Sequence, residues 1–178
     1  RIISHSFYKQ DPSYFFRFYR DKMMPLGFEP NITHYKLAQW EKQGKMLGVV
    51  TQNIDGLHQK AGSNLVFELH GSVYRNYCEV CGKAYDVPLC DCGGRVKPDV
   101  VLYEEQLSSR TIDGAVRAIA QADLLIIGGT SLTVYPAAGF IDYYKGNRMA
   151  LINRDETPYD HYADLVFHEP LGEIFSQL

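Results

Sequence analysis

Four short apolar runs constrain the fold of this chain most strongly. None of them shows the polar alternation of a half-exposed strand, so we expect parallel strands that are covered on both faces. Segments with helical spacing lie between the runs, and the alternation predicts a doubly wound α/β protein. The runs are MLGVV at 46–50, DLLIIGG at 123–129, RMALI at 148–152 and DLVFH at 164–168.

The segments before the first run predict two helices. DPSYFFRFYRDKMM offers Asp11 or Ser13 as a cap, with Pro12 in the first turn. PNITHYKLAQWEKQGK begins at a plausible N-cap, Asn31, and ends at Gly44, a common stop signal. Two later segments, SSRTIDGAVRAIAQA and YPAAGFIDYYKG, have the spacing of helices that cover a sheet.

Composition excludes several classes of protein. With 178 residues, 46% of them hydrophobic, the chain can bury one main core and a small module. A net charge of -3 gives no basic surface for direct nucleic-acid binding. No apolar run approaches the roughly 20 residues of a membrane span, and the first residues contain no signal-peptide core. We therefore expect a soluble, cytoplasmic protein, and its oligomeric state stays open.

All four cysteines lie within one stretch of 15 residues. Disulfides are the alternative, but a reducing compartment and the strain of a Cys-x-Cys bridge argue against them. Two close pairs of thiols, each beside glycine, are typical of a tetrahedral zinc site that has no open position and is therefore structural. The second pair is Cys-x-Cys, and only eight residues separate the pairs, which is unusual. The predicted zinc ligands are Cys78, Cys81, Cys90 and Cys92.

Polar segments follow three of the apolar runs: TQNIDGLH, GGTSL and INRDE. In open α/β sheets, ligands bind beyond the carboxyl ends of the strands. We therefore expect these three segments to converge on a ligand pocket. Ordinary polar loop chemistry is the simpler alternative.

Six motifs occur in the order found in sirtuins, the NAD-dependent protein deacylases, and the chain most resembles bacterial members. The motifs are TQNIDGLHQKAGS, ELHGS, the two cysteine pairs, PDVVLYEE, GGTSLTVYPAA and LINRDET, from about Pro30 to Phe167. The resemblance implies a Rossmann-like parallel sheet with helices on both faces and a small inserted zinc-ribbon domain. NAD and an acyl-lysine peptide would meet in a cleft between the domains. We expect a Rossmann-like domain in two parts, 1–72 and 103–178, and a zinc ribbon at 73–102; a glycine-rich NAD-binding turn would precede residue 1.

The function that this resemblance implies is NAD-dependent deacylation of protein lysines, of the deacetylase type. The acyl group would pass to ADP-ribose and nicotinamide would be released. Two alternatives stay open: mono-ADP-ribosyl transfer from the same site, and a non-catalytic reader module that binds NAD or a partner. The partner expected is an acyl-lysine protein or peptide, and the cofactors expected are NAD and structural zinc.

The resemblance also implies residue roles. His70 in ELHGS would be the general base, since imidazole can accept a proton at physiological pH. Asn53 and Asp55 would bind the nicotinamide carboxamide and the ribose, and they complete the catalytic set. The candidate NAD-binding residues are Gln52, Asn53, Ile54, Asp55, Gly129, Thr130, Ser131, Asn153, Arg154 and Asp155.

The segment after PDVV departs from the family pattern. Sirtuins usually have Phe-Gly-Glu where this chain has Tyr103, Glu104 and Glu105, in a segment that pairs with the acyl-lysine peptide as an edge strand. We expect Val101 and these three residues to contact the substrate. Glu104 would favour peptides with a basic residue beside the acylated lysine, unless its side chain is simply exposed and without effect.

Overall fold

The computed structural model describes residues 2–24, 27–84 and 90–178, and these residues form a mixed α/β fold. The α-helices are α1 (His5–Gln10), α2 (Pro12–Phe18), α3 (Ile32–Lys42), α4 (Leu57–Lys60), α5 (Ser109–Gln121) and α6 (Leu171–Ser176). The strands are β1 (Val49–Thr51), β2 (Val66–Glu68), β3 (Gly71–Cys78), β4 (Val96–Val100), β5 (Leu125–Gly128), β6 (Met149–Ile152) and β7 (Leu165–Phe167). A π-helical turn follows α2, and two 3-10 helices occupy Ala137–Tyr143 and Asp160–Tyr162.

The chain divides into two compact units. The first unit comprises Arg1–Phe28, Thr51–Gly56 and Glu68–Ser108. The second unit comprises Glu29–Val50, Leu57–Phe67 and Ser109–Leu178. In the part of the chain that the structure describes, no helix is long and apolar enough to cross a membrane.

A parallel three-stranded sheet, β5-β6-β7, organises the second unit. Three of the four predicted apolar runs form it, as expected. The central strand β6 is buried throughout, whereas Leu165 of β7 is 56% exposed because β7 is the last strand in the sheet order. The expectation of burial on both faces therefore fails for β7. The remaining run, MLGVV, contributes Val49 and Val50 to β1. This strand pairs with β2 in a separate two-stranded sheet.

Helices cover both faces of this sheet. Alternate residues point to opposite faces, so Ile127, Met149 and Leu151 share one face, where they pack with Ile141 of the first 3-10 helix. Gly128 lies on the other face, where a Cβ atom would meet the side chain of Leu171 in α6, only 2.6 Å away. The segment YPAAGFIDYYKG is thus a cover, as predicted, although it forms a 3-10 helix rather than an α-helix.

An aromatic core holds the first unit together. Tyr8, Phe15 and Tyr19 come from the N-terminal helices and the π-helical turn, and they pack with Val73 and Val100. Val73 and Val100 belong to β3 and β4, which pair antiparallel. The cluster FYKQDPSYFFRFY is therefore a structural element of this unit.

The predicted helix boundaries are confirmed at three caps. The Asp11 side chain accepts from the backbone N–H of Tyr14 at 3.0 Å, and Pro12 is the first residue of α2. Asn31 caps α3 in a capping box, in which its backbone N–H donates to Nδ1 of His34 at 3.2 Å. Gly44 follows the helix with a φ of 70°, a conformation that favours glycine.

Candidate functional site

Backbone groups position His70 in the first unit. Its Nδ1 lies 2.9 Å from the carbonyl oxygen of Gln52. A carbonyl can only accept, so Nδ1 carries the proton and Nε2 of the neutral ring has a lone pair to offer. The carbonyl of His70 accepts from the N–H of Val101 at 3.0 Å, and its neighbour Leu69 donates to the carbonyl of Thr51 at 2.9 Å. The ring is therefore fixed in a tautomer that can act as a base.

Gly71 explains why a glycine follows the histidine. Its φ is 76°, and a Cβ atom built there would overlap the backbone carbonyl of Asp99 in β4. No residue with a side chain fits at this position without moving β4. The close backbone packing beside His70 therefore requires the glycine of the His-Gly-Ser motif.

The predicted nicotinamide-binding loop lies in the same unit. The N–H of Asn53 donates to Oγ1 of Thr51 at 3.1 Å, and the Asn53 side chain is exposed. The carbonyl of Ile54 accepts from the N–H of Val73 at 3.0 Å, and the Ile54 side chain packs against the aromatic core. Asp55 is half-buried. Gln52 and His70 are in direct contact through the hydrogen bond described above, so the two motifs meet.

The remaining candidate cofactor residues lie in the second unit, at the carboxyl ends of adjacent strands. The N–H of Gly129 donates to the carbonyl of Ile152 at 3.0 Å, and the N–H of Asn153 donates to the carbonyl of Phe167, also at 3.0 Å. The exits of β5, β6 and β7 are therefore side by side, as the sequence predicts for two of its three polar segments. The Asn153 side chain donates to the carbonyl of Asp155 at 2.8 Å.

The Gly129 turn has the open backbone that a dinucleotide site requires. Its φ is 63°, and among the described residues no atom outside Gly128, Gly129 and Thr130 lies within 4 Å of where a Cβ atom would be. Ser131 and Thr133 share a hydrogen bond of 2.8 Å between their hydroxyl groups, and Oγ1 of Thr130 accepts from the N–H of Leu132 at 3.2 Å. Arg154 and Asp155 are exposed on the loop after β6. Backbone and hydroxyl groups suited to a phosphate are therefore accessible here.

The four cysteines form one cluster in the first unit. Their sulfur atoms all lie within 4.8 Å of one another, and the Cys78–Cys92 and Cys81–Cys90 pairs are both 3.5 Å apart. A tetrahedral zinc with bonds of about 2.3 Å would separate its sulfur ligands by about 3.8 Å. The donor set and its spacing fit a structural zinc ion.

Backbone turns shape each half of this cluster. The N–H of Gly82 donates to the carbonyl of Cys78 at 2.9 Å, and the N–H of Gly93 donates to the carbonyl of Cys90 at 2.8 Å. Neighbouring groups also shift the pKa values of two of the thiols. The backbone N–H of Cys81 lowers the pKa of Cys78. The N–H of Gly94 lowers the pKa of Cys92, but hydrogen bonds with the Cys90 and Cys78 thiols outweigh it and raise the pKa to about 12.

The predicted substrate segment is already engaged by the N-terminal residues of the chain. The N–H of Tyr103 donates to the carbonyl of Ile3 at 3.1 Å, and the carbonyl of Tyr103 accepts from the N–H of His5 at 2.9 Å. Residues 3–5 thus pair with Tyr103 as an added strand would. Among the described residues, no hydrogen bond engages the backbone of Glu104.

Glu104 adopts a backbone conformation that favours glycine. Its φ is 77°, which is consistent with the glycine that the family pattern implies at this position. Its carboxylate accepts from the backbone N–H and from the hydroxyl of Ser6, each at 2.9 Å. Glu104 is exposed, but its side chain is tied to the start of α1, and its effect on the choice of substrate stays a prediction.

Glu105 is the centre of an ion-pair network that sequence reasoning missed. It accepts from Nζ of Lys97 at 3.0 Å, from Nδ1 of His5 at 2.7 Å and from the N–H of Leu102 at 2.9 Å. Lys97 is 2% exposed and also donates to the carbonyl of Val100 at 2.8 Å. Burial raises the pKa of Glu105, but these hydrogen bonds outweigh burial and keep the pKa below its ordinary value. The one available signal was a lysine directly after Val96 in the strand β4.

Comparison with known proteins matches this chain to a single family. The model of the Sir2 family matches residues 1–136. An NAD-dependent protein deacetylase of Clostridium acetobutylicum is 54% identical, and the alignment covers 97% of this chain and 75% of that protein. The corresponding protein of Clostridium tetani is 53% identical, with 97% and 74% covered. The similarity includes the N-terminal helices, so the limit predicted at Pro30 was too narrow.

Solved structures agree with the sequence comparison. A structure of Sir2 bound to an acetylated peptide superposes with a TM-score of 0.93 at 36% identity, covering 99% of this chain and 81% of that one. A complex of Sir2 with a p53 peptide and NAD+ gives a TM-score of 0.92 at 36% identity, with 99% and 80% covered. The Rossmann-like fold class predicted from the sequence is confirmed.

Proposed function

Because this chain belongs to the Sir2 family, we propose that it is an NAD-dependent protein-lysine deacylase that transfers an acyl group from lysine to ADP-ribose and releases nicotinamide. The observation that carries the proposal is the hydrogen bond from Nδ1 of His70 to the carbonyl of Gln52. It leaves Nε2 as the proton acceptor, beside the loop that would bind nicotinamide. A reader module would need no base there.

NAD, when bound, would supply an electrophilic ribose carbon for the acyl oxygen and nicotinamide as the leaving group. The residues of this chain bind and orient the reactants and move one proton. Nε2 of His70 accepts the proton of a ribose hydroxyl, while Asn53 and Asp55 bind the carboxamide and the ribose. In the second unit, Gly129 and Ser131 bind phosphate, and Asn153 bonds the adenosine ribose.

The acyl-lysine peptide is the proposed second substrate. Solved relatives are bound to acetylated and to propionylated peptides, which supports a substrate with a short acyl chain. The open backbone of Glu104 would add to the peptide, since the Tyr103 backbone is occupied by Ile3 and His5. Val101 and Glu105 would act indirectly, by holding this segment beside His70.

Zinc bound by the four cysteines is proposed to have a structural role. Four protein ligands leave no coordination position for a substrate. We also propose that the ion defines a small domain at 73–102, inserted between Rossmann-like parts at 1–72 and 103–178. Four unbridged thiols suit the reducing cytoplasm, which is the compartment we propose.

The test is release of nicotinamide from NAD in the presence of one peptide carrying acetyl-, propionyl- or unmodified lysine. We expect release that requires acylation, together with an acylated ADP-ribose product. Release without an acylated lysine, with label on a protein, would instead identify a mono-ADP-ribosyltransferase. Binding of the acetylated peptide and NAD without any release would identify a reader module.

A further inference from the structure

A cavity of about 900 Å³ lies within the second unit, and its wall includes Thr133, whose hydroxyl is hydrogen-bonded to that of the proposed NAD-binding residue Ser131. It opens near the amino ends of β6 and β7, where Met149 and Asp164 contribute to its wall. None of the six cofactor residues proposed in this unit lines it. Cofactors of open α/β sheets bind at the opposite, carboxyl edge. The proposed NAD contacts therefore leave this cavity unexplained.

Tyrosine rings make up much of the cavity wall. Tyr135 is 69% exposed and Tyr162 is 66% exposed, although both are large aromatic side chains. The Tyr162 ring lies 6.0 Å from the Tyr159 ring and 4.0 Å from the His161 ring, measured between centroids. A group of exposed aromatic rings around a concavity is typical of a recognition site.

The charge of this wall is negative. Asp142 and Asp164 line the cavity, and none of the described lysine or arginine residues does. Asp164 accepts from the N–H of Met149 at 2.7 Å, whereas the carboxylate of Asp142 has no hydrogen bond or ion pair among the described residues. A cation is the complementary ligand.

We propose that this cavity binds the guanidinium group of an arginine in a basic segment of a protein partner. A planar guanidinium stacks on tyrosine rings while it bonds a carboxylate, so it fits this wall better than a compact ammonium group does. The volume exceeds that of one side chain, which is why a peptide segment is the occupant. The site is independent of deacylation, because its ligand needs neither an acyl group nor NAD.

The test is calorimetric titration with the unacylated peptide acetyl-Arg-Arg-Arg-amide, without NAD, at low and at high salt. The matched probe is the citrulline tripeptide, which has nearly the same shape but no charge. Asp142→Asn and Tyr162→Leu should each weaken binding by about two- to fivefold, the range of an exposed cation–π contact or ion pair. Glu156→Gln and Tyr143→Leu are the matched controls, since both residues are exposed and lie outside the cavity.

Binding of the arginine peptide that falls with salt, exceeds that of the citrulline peptide and is reduced only by the two cavity variants is the expected result. Equal binding of the two peptides would overturn the proposal, because charge would then play no part. So would equal losses in the cavity and control variants, which would indicate non-specific attraction. Absence of binding would overturn it as well, whatever the outcome of the nicotinamide-release assay.

Discussion

His70 and the cysteine cluster lie in the same unit, but different forces hold them in place. Backbone groups fix His70: the carbonyl of Gln52 orients its ring, and the packing of Gly71 on β4 fixes its main chain. The cluster brings four thiols within 4.8 Å of one another, and their thiolates would repel without a cation. The proposed base is thus positioned by hydrogen bonds that the chain makes by itself, whereas the proposed zinc site would need an added ion.

The largest effect should come from breaking the metal site. Cys92→Ser should lose zinc and lower the melting temperature sharply, since metal binding contributes folding free energy directly. Activity should fall only as far as the folded fraction falls. Zinc content and a melting curve are the measurements, with Val80→Ser as the control because Val80 is 74% exposed and close to the cluster. A variant without zinc that melts like the wild type would contradict a structural role.

The second effect should appear in catalysis and not in stability. His70→Ala should reduce deacylation by about 10²-fold or more, the usual cost of losing a general base, with NAD binding within a few-fold of wild type. His70→Asn is the sharper variant, because its side-chain amide can still donate to the Gln52 carbonyl but cannot accept the proton. Steady-state kinetics together with a melting curve would distinguish a role in catalysis from a role in stability. Recovery of activity in His70→Asn would show that position matters and basicity does not.

Features that depend on neighbouring residues could be predicted from the sequence, whereas contacts between distant segments could not. Runs of apolar residues predicted β5, β6 and β7 because parallel strands leave a local signature. The clustered cysteines predicted a metal site because ligand spacing is local as well. The strand β2 went unpredicted, since VFE is too short to show any period. Ion pairs such as Lys97–Glu105 went unpredicted because they depend on how separate strands and loops meet.

Prediction from the sequence was also incomplete for the proposed substrate segment. Sequence identified Tyr103, Glu104 and Glu105 as the departure from Phe-Gly-Glu, and it predicted pairing with a peptide. It gave no sign that residues 3–5 pair with Tyr103, because that contact joins positions about 100 residues apart. The left-handed φ at Glu104 could be anticipated from the glycine of related proteins, whereas its bonds to Ser6 could not.

The third prediction concerns the ion pair between Lys97 and Glu105, which needs no metal. Lys97→Met removes the buried cation beside Glu105 and should cost about 3 kcal/mol, because it breaks an ion pair whose lysine is buried. The substrate segment should also loosen, so KM for the peptide should rise more than KM for NAD. Lys97→Arg is the control that keeps the charge. A change in stability with no change in peptide KM would limit the ion pair to a structural role.

The fourth prediction concerns acid. The folded-state pKa of Glu105 lies below its ordinary value, so its stabilisation is complete above about pH 4.3 and is lost as pH falls through the folded value. Glu105→Gln should therefore lower stability at neutral pH and make stability less steep in this acid range. Denaturant unfolding between pH 3 and 7 is the measurement. Parallel stability curves for the two proteins would show that Glu105 does not carry this dependence.

The smallest effect should be a preference for substrates at Glu104. Its carboxylate already accepts two hydrogen bonds from Ser6, so fewer of its lone pairs remain for a peptide. We still expect basic residues beside the acylated lysine to be favoured over acidic ones by up to about 1 kcal/mol, and by less at high salt. Glu104→Gly relieves the left-handed backbone but loses the Ser6 bonds, while Glu104→Gln changes only the charge. Both variants should lose the preference in kcat/KM, and its persistence in Glu104→Gln would assign the selectivity to another residue.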